Sequence, residues 1–476
     1  MGKSFYKYKG YAHFDKRLSI AEGRVRAQNP AYVVRHGFYP FLHFTKKINR
    51  YFPEKDDVSE KREPKKREIF YAAHIDRYIY QYYAHLLNNY YNSYAGLNNI
   101  DNCAVAYRTN KKGKCNIDFA YEAFKFIKMN LNALVVVGDF TNFFDNLDHV
   151  YLKQCLRKVL EVNKLSPDWF AVYKNICNAS YVNIEQILNY NKSLGDSALP
   201  TTLRQLNKQE VAFSLEEIRQ KHPKWIRQAS NIRSNYGIPQ GSPISGVLAN
   251  VYMIEFDSLM KKMCEEQNAF YMRYSDDFIF IIPNQTESEL EDKIKIVFGI
   301  TEDIGNKGRL LLKKEKTKCA FVNEDKIYSL ASDGHYNTNK NGDKLCCSIN
   351  FLGFSYNGKN IDLRNKTKHR NENKIAHKTR RLYKFKKGYK LRKDGSKVNI
   401  SLNGVKRTYY PVYRVDMNGQ RKSIFNSYIK RSMKIFSGEE AIQDYFIKRK
   451  GRISKIINKT ISQVEKQRQL KEKAKN

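Results

Sequence analysis

Phe270-Tyr271-Met272-Arg273-Tyr274-Ser275-Asp276-Asp277-Phe278-Ile279-Phe280-Ile281-Ile282 is the stretch on which the chain turns. Two apolar runs, rich in aromatic and β-branched residues, flank a short polar centre. The flanks read as strands and the centre as a tight turn, so a β-hairpin is predicted. Aspartate is depleted in strands, and two adjacent carboxylates at a hairpin tip repel each other. A cation at the tip would resolve that repulsion.

A second acid stands at the end of a strand. Leu134-Val135-Val136-Val137-Gly138-Asp139-Phe140 is the clearest buried strand in the chain, and it runs out on Asp139. A turn through Asp145 and Asp148 follows, then an amphipathic helix carrying Leu152, Leu156 and Val159. Asp145 and Asp148 suit a helix N-terminus better than a reaction. Upstream, the spacing of Ile75, Ile79 and Tyr83 predicts a helix from Glu68 to about Asn92. Ala104-Val105-Ala106-Tyr107-Arg108 reads as a short strand. Downstream, Gly237-Ile238-Pro239-Gln240-Gly241-Ser242-Pro243 is a loop of turn formers, with Ser242 as the expected N-cap and Pro243 at the first helical position. Ile349 to Tyr356 alternates as a strand. Ser437-Gly438-Glu439-Glu440 reads as a capping box opening one long basic helix.

The chain has 476 residues, 41% of them apolar, with 34 Tyr and 27 Phe. That is ample for folded cores and excludes a disordered chain. The net charge is +38. Such an excess speaks of a polyanionic partner, nucleic acid first and an anionic membrane surface second. Residues 361–476 concentrate it, with 34 Lys and Arg against 9 Asp and Glu. No apolar run approaches a membrane span, and the first residues show no signal-peptide core. The eight cysteines are scattered without Cys-x-x-Cys spacing, so reduced thiols and a cytoplasmic location are expected.

Taken together these stretches resemble the bacterial reverse transcriptases. The Asp139 strand with Phe143-Phe144-Asp145 is similar to the family's first palm motif. Gly237 to Pro243 with Leu248-Ala249-Asn250 resembles the second, and Tyr274-Ser275-Asp276-Asp277 the third. Glu315-Lys316-Thr317 resembles the fourth and Phe351-Leu352-Gly353-Phe354 the fifth, the primer-grip hairpin. Each is weak alone; five in order are specific. A recognisable zinc or RNase H pattern and a retron-type Val-Thr-Gly stretch are absent, and the basic C-terminal region and long first insertion look more like stand-alone, non-mobile members, many of them antiphage defence enzymes.

The resemblance implies an α+β right-hand polymerase performing RNA-templated DNA synthesis. Asp139, Asp276 and Asp277 would be the catalytic acids, holding two Mg²⁺ ions with help from the Phe140 carbonyl, Mn²⁺ being a substitute. Arg108, Phe144, Gln240 and Lys316 would meet the nucleotide. Phe144 would exclude a ribose 2′-hydroxyl, although its plainer reading is core packing. Gly241, Ser242, Phe351, Leu352 and Gly353 would contact primer and template. The implied partners are RNA, a dedicated non-coding RNA among them, DNA product and dNTPs, with no membrane, and a homo-oligomer or accessory protein in addition. The implied divisions are an N-terminal extension (1–60), fingers (61–130), a first palm part (131–160), a helical insertion (161–232), a second palm part (233–360) and a basic thumb and RNA-binding region (361–476). The rival readings are template-independent or protein-primed synthesis, an RNA-making polymerase, and a non-catalytic RNA-binding scaffold.

Overall fold

The structure, a computed structural model, describes residues 5–48, 64–130, 132–310, 312, 317–385, 389–391, 397–399, 403–415, 421–422 and 424–473. The strands that position the site are β1 (Phe41–Ile48), β2 (Lys65–Tyr71), β3 (Ala133–Asp139), β4 (Ser180–Asn183), β5 (Arg227–Gln228), β6 (Phe270–Tyr274), β7 (Asp277–Ile282), β8 (Lys318–Asn323), β9 (Lys326–Leu330), β10 (Ile349–Phe351), β11 (Phe354–Tyr356) and β12 (Ile361–Leu363). The class is α+β.

The central sheet is antiparallel, in the order β6-β7-β3-β8-β9. Its inner strands are covered on both faces, which explains their unbroken apolar runs. Side chains alternate across the pleat. Leu134, Val136, Phe278 and Phe280 join one core, with the helices His149–Leu160, Ser245–Tyr252, Ile254–Gln267 and Leu290–Gly308. Val135, Ile279 and Ile281 join the other, with the helix Asn116–Met129 and the small sheet β10-β11-β12. A one-residue slip of β7 would exchange these two sets, so both cores specify the register that places Asp277.

A second sheet has the order β2-β1-β4-β5. β1 and β2 form an antiparallel hairpin, and β4 adds to β1 in parallel through Phe41↔Tyr181 and Leu42↔Val182. The division expected at 60/61 therefore falls inside one hairpin, in a stretch outside the described residues. The segment 161–232 is helical only in part, since it lends β4 and β5 to this sheet.

Three local expectations are corrected. Glu68 to Tyr71 are strand rather than helix, because pairing with β1 overrides their periodicity; the helix begins at His74 and runs to Leu97. Ala104 to Arg108 is not a strand: Ala104 makes one isolated bridge to Arg273 and the chain then turns away. The long C-terminal helix is two helices, Glu440–Ile447 and Arg449–Lys473, and no side chain caps the first. Ile442, Ile453, Ile457 and Val464 are nevertheless buried. Among the described residues no helix is long and apolar enough to cross a membrane.

Candidate active site

The β6–β7 hairpin closes on the pair Tyr274↔Asp277, leaving Ser275 and Asp276 as a two-residue turn. Ser275 adopts φ 64°, the left-handed region that such short turns demand. Across the sheet Asp139 is the register partner of Asp277. The Phe140 amide donates to the Asp276 carbonyl at 3.4 Å, so the end of β3 is tied to the turn. Two strands distant in sequence thus bring the three aspartates to one edge.

Their electrostatics follow from that placement. Protein crowding strips water from the Asp277 carboxyl and, with the carboxylates of Asp276 and Asp139, pushes its pKa from an ordinary 3.8 to about 7. Arg364 and Lys366 pull it the other way. Motif reasoning missed these two cations; their only sequence signal was membership of the basic C-terminal region. A carboxyl whose pKa is raised on folding stabilises the fold most below about pH 4, and that contribution is lost as pH rises through about 7. Asp277→Asn cannot ionise. Without divalent cations, its melting temperature is expected to exceed that of wild type at pH 7.5, with the two converging toward pH 4. Scanning calorimetry at several pH values checks this, and parallel curves would refute it.

Behind the turn lies a buried ion pair that sequence reading did not single out. Arg273 is fully buried on β6. Its Nε and Nη2 donate to the Asp257 carboxylate at 2.9 and 2.6 Å, and its Nη1 donates to the Ser275 carbonyl at 2.9 Å. Tyr271 donates its hydroxyl to the same carboxylate at 2.8 Å. The guanidinium fork is thereby shared between a helix and the aspartate turn. An arginine in an apolar strand was the available signal.

Other expected residues divide. The loop 237–243 lies beside the first motif. Ile238 donates to the Phe144 carbonyl at 2.8 Å and Gly237 to the Leu147 carbonyl at 2.7 Å. The Gln240 carbonyl accepts from Phe70 of β2 at 3.0 Å. Gly241 sits at φ 119°, where a Cβ would stand 2.2 Å from the Phe70 carbonyl oxygen, so no other residue fits this approach. Phe144 is half-buried, edge-on to Phe143, at the rim of the core. Asp148, not Asp145, caps the following helix, accepting from Tyr151 at 2.9 Å.

Ser242 is not an N-cap. The helix starts at Ser245, and the buried Ser242 hydroxyl meets no partner among the described residues. Arg108 is corrected too. Its guanidinium has no exposed surface and is held by Asp101, by Asn92 at 2.7 Å and by the Ala104 carbonyl at 2.8 Å. Meeting a triphosphate would break all three. The neighbour that reaches the hairpin is Tyr107: its φ of 59° turns it about, and its hydroxyl lies 3.4 Å from Ser275 Oγ. Lys316 lies outside the described residues. Phe351, Leu352 and Gly353 form a tight hairpin turn, with φ 45° at Leu352 and 96° at Gly353. Asn116 holds it by donating to the Leu352 carbonyl at 2.9 Å.

Among the described residues, no three His, Cys, Asp or Glu side chains already form a metal cage. Mg²⁺ is bound through one or two carboxylates completed by water and substrate phosphate rather than by an all-protein cage. The donor chemistry fits such an ion: hard oxygens only, with mutual repulsion that a cation relieves.

An antiparallel sheet that sets a strand-end aspartate opposite a hairpin-tip pair, flanked by helices and a basic helical region, is the palm of a right-hand polymerase. Residues 201–356 match the family model described as reverse transcriptase (RNA-dependent DNA polymerase). The match includes Gln240, Asp276, Asp277 and the 351–353 turn; Asp139 lies outside it and joins through strand register. No curated protein sequence matches the chain. Similar solved structures include apo telomerase from Candida tropicalis truncated from its C-terminal domain, at 15% identity, covering 63% of this chain and 54% of that one, TM-score 0.39. Telomerase from Candida albicans in complex with a TWJ fragment of telomeric RNA is 13% identical, covering 75% and 52%, TM-score 0.36. The chain spans about half the length of these two telomerase chains.

Proposed function

We propose that the chain is an RNA-directed DNA polymerase whose catalytic acids are Asp139, Asp276 and Asp277. The observation that carries this is the Asp139↔Asp277 register beside the Asp276 turn, within a chain matched to the reverse transcriptase model. The three carboxylates would hold two Mg²⁺ ions, or Mn²⁺ in their place. Bound there, the ions supply activation of the primer hydroxyl and neutralisation of the pyrophosphate charge. Arg273 keeps the turn in place. The Phe140–Asp276 bond couples the two acid-bearing strands. Gln240, Gly241 and Ser242 line the approach of the template pair, and Phe351, Leu352 and Gly353 that of the primer end. Lys316 is proposed to face the pyrophosphate, on the resemblance alone.

The finer reading is a stand-alone bacterial enzyme copying a dedicated non-coding RNA in antiphage defence. Its support is the order of the five motifs and the charge gathered after residue 360. The test is to purify the protein, sequence its bound RNA, and sequence the DNA made from dNTPs and Mg²⁺. DNA complementary to the bound RNA is expected. DNA made without any template would turn the reading to terminal transfer. Biological effect undiminished in Asp277→Asn would turn it to a scaffold.

Phe144 gives a second expectation. This residue stands five residues after Asp139, and its backbone carbonyl accepts from Ile238 of the loop that carries Gln240. Phe144→Ala should raise the kcat/KM for rNTPs relative to dNTPs by about 10- to 200-fold, the range for losing one steric contact. An unchanged ratio in single-nucleotide incorporation would return Phe144 to core packing.

A further inference from the structure

A cavity of about 660 Å³ lies between the 352–353 turn and the C-terminal region. One wall is the helix Asn365–Phe385, which presents Arg370 and Lys374. The facing wall is the segment around Tyr409 and Arg414, and a third side is Phe425 and Tyr428. Arg449 lines it from the start of the last helix and is only 3% exposed.

The partners of Arg449 are all neutral. Its guanidinium donates to Asn426 at 3.3 Å, to the Tyr445 hydroxyl at 3.2 Å and to Asn371, and it stacks 5.1 Å from the Phe425 ring centroid. A buried charge is costly without a counter-charge. Among the described residues no carboxylate lies within ion-pair distance of Arg449, Arg370, Lys374 or Arg414, and no Asp or Glu lines the cavity. Glu372, a carboxylate whose field reaches Arg449, lies 3.4 Å from His369 instead. Among the described residues four positive charges, one of them buried, thus surround a space lined by no negative one.

The other lining groups are of a second kind. Tyr409, Phe425 and Tyr428 offer ring faces, and Asn116 and Asn371 offer amides. Rings beside guanidinium groups suit a stacked base and its phosphate. The volume lies within the range of small-molecule sites and exceeds what a lone phosphate needs.

We infer that this cavity is a nucleotide-binding site, separate from the aspartate edge, that takes one nucleotide with its base among the aromatic rings and its phosphate on Arg449, Arg370, Lys374 and Arg414. The nucleotide comes either free or as one unit of a bound single strand. Asn116 bonds both the Leu352 carbonyl and, at 3.0 Å, the Tyr428 hydroxyl. Occupancy would accordingly be felt at the 352–353 turn.

The test is binding, not synthesis, and is done on the full chain carrying Asp277→Asn, so that it stands or falls independently of the proposed activity. Calorimetry with AMP and ATP measures the free form; anisotropy with a labelled 12-nucleotide RNA measures the chain-borne form. In this background Arg370→Ala/Arg414→Ala, both exposed positions, should weaken whichever ligand binds by about tenfold or more and flatten the salt dependence by about one unit of slope per lost phosphate contact. The charge-matched control Lys326→Ala/Lys340→Ala should change it little. Loss of AMP binding identifies the free nucleotide; loss of RNA binding alone identifies the strand. Arg449→Met, verified as folded by circular dichroism, should lose the same ligand. Equal weakening by the control pair, or full binding by folded Arg449→Met, would overturn the site.

Discussion

Asp277→Asn is expected to lower the rate of nucleotide incorporation on the order of 1,000-fold or more while leaving RNA binding intact. The carboxylate faces Asp139 across the sheet and shares its edge with Asp276. Metal-assisted charge stabilisation is worth several kcal/mol, and each 1.36 kcal/mol is tenfold in rate. Asparagine keeps the shape and the strand pairing and removes only the charge. Wild-type activity should also rise with pH through about 7, because a protonated Asp277 cannot serve as a ligand. Primer extension at saturating divalent cation measures the first effect, and a pH series at limiting divalent cation measures the second, since bound cation itself favours the ionised carboxylate. A variant within tenfold of wild type would mean that the aspartate edge is not the reactive centre.

Arg273→Met carries the second large effect. Removing one partner of a buried ion pair leaves the other unpaired and costs about 3–5 kcal/mol. Here it also frees the Ser275 carbonyl, which the guanidinium holds at 2.9 Å. Loss of stability alone would be a structural result. The double variant Arg273→Met/Asp257→Leu separates the two roles. Replacing both charges with apolar groups is often neutral for stability, so denaturant melting should recover. Incorporation should not, because the Ser275 carbonyl then lacks the guanidinium that anchors the turn carrying Asp276. Recovery of both would reduce Arg273 to a packing residue.

The course of the strands around the site was legible because their signals are local. A run such as Leu134 to Val137, or Phe278 to Ile282, declares burial on both faces within a few residues. The turn chemistry at Ser275 and Asp276 is set by its own four residues. Gly241 was legible as a turn former, but its reason, contact with the Phe70 carbonyl, belongs to a strand about 170 residues away. Ser242 shows the limit of a local rule. The pattern Ser-Pro suits a helix start, yet Ser245 donates to the Pro239 carbonyl at 2.8 Å and the helix begins two residues late.

Arg108 and Tyr107 show the same limit at the site itself. Sequence order favours the charged residue as the one that meets a charged ligand. One backbone angle at Tyr107 decides otherwise, sending the guanidinium toward Asp101 and the phenol toward the aspartate turn. The pairing of β1 with β4 was equally out of reach, because a parallel contact across about 140 residues leaves no periodicity in either segment.

By itself the sequence determined which residues could carry the chemistry: three aspartates at the ends of apolar strands, a loop of turn formers, and a basic region too highly charged to lack a polyanionic partner. Only the tertiary structure decided which of them meet. It set Asp139 opposite Asp277, tied the turn to Asp257 through Arg273, withdrew Arg108, and brought Arg364 and Lys366 toward the acids. The physical reason is that strand identity is written in short-range alternation, whereas register and charge pairing arise when cores close over both faces of a sheet and leave each buried charge to find its partner.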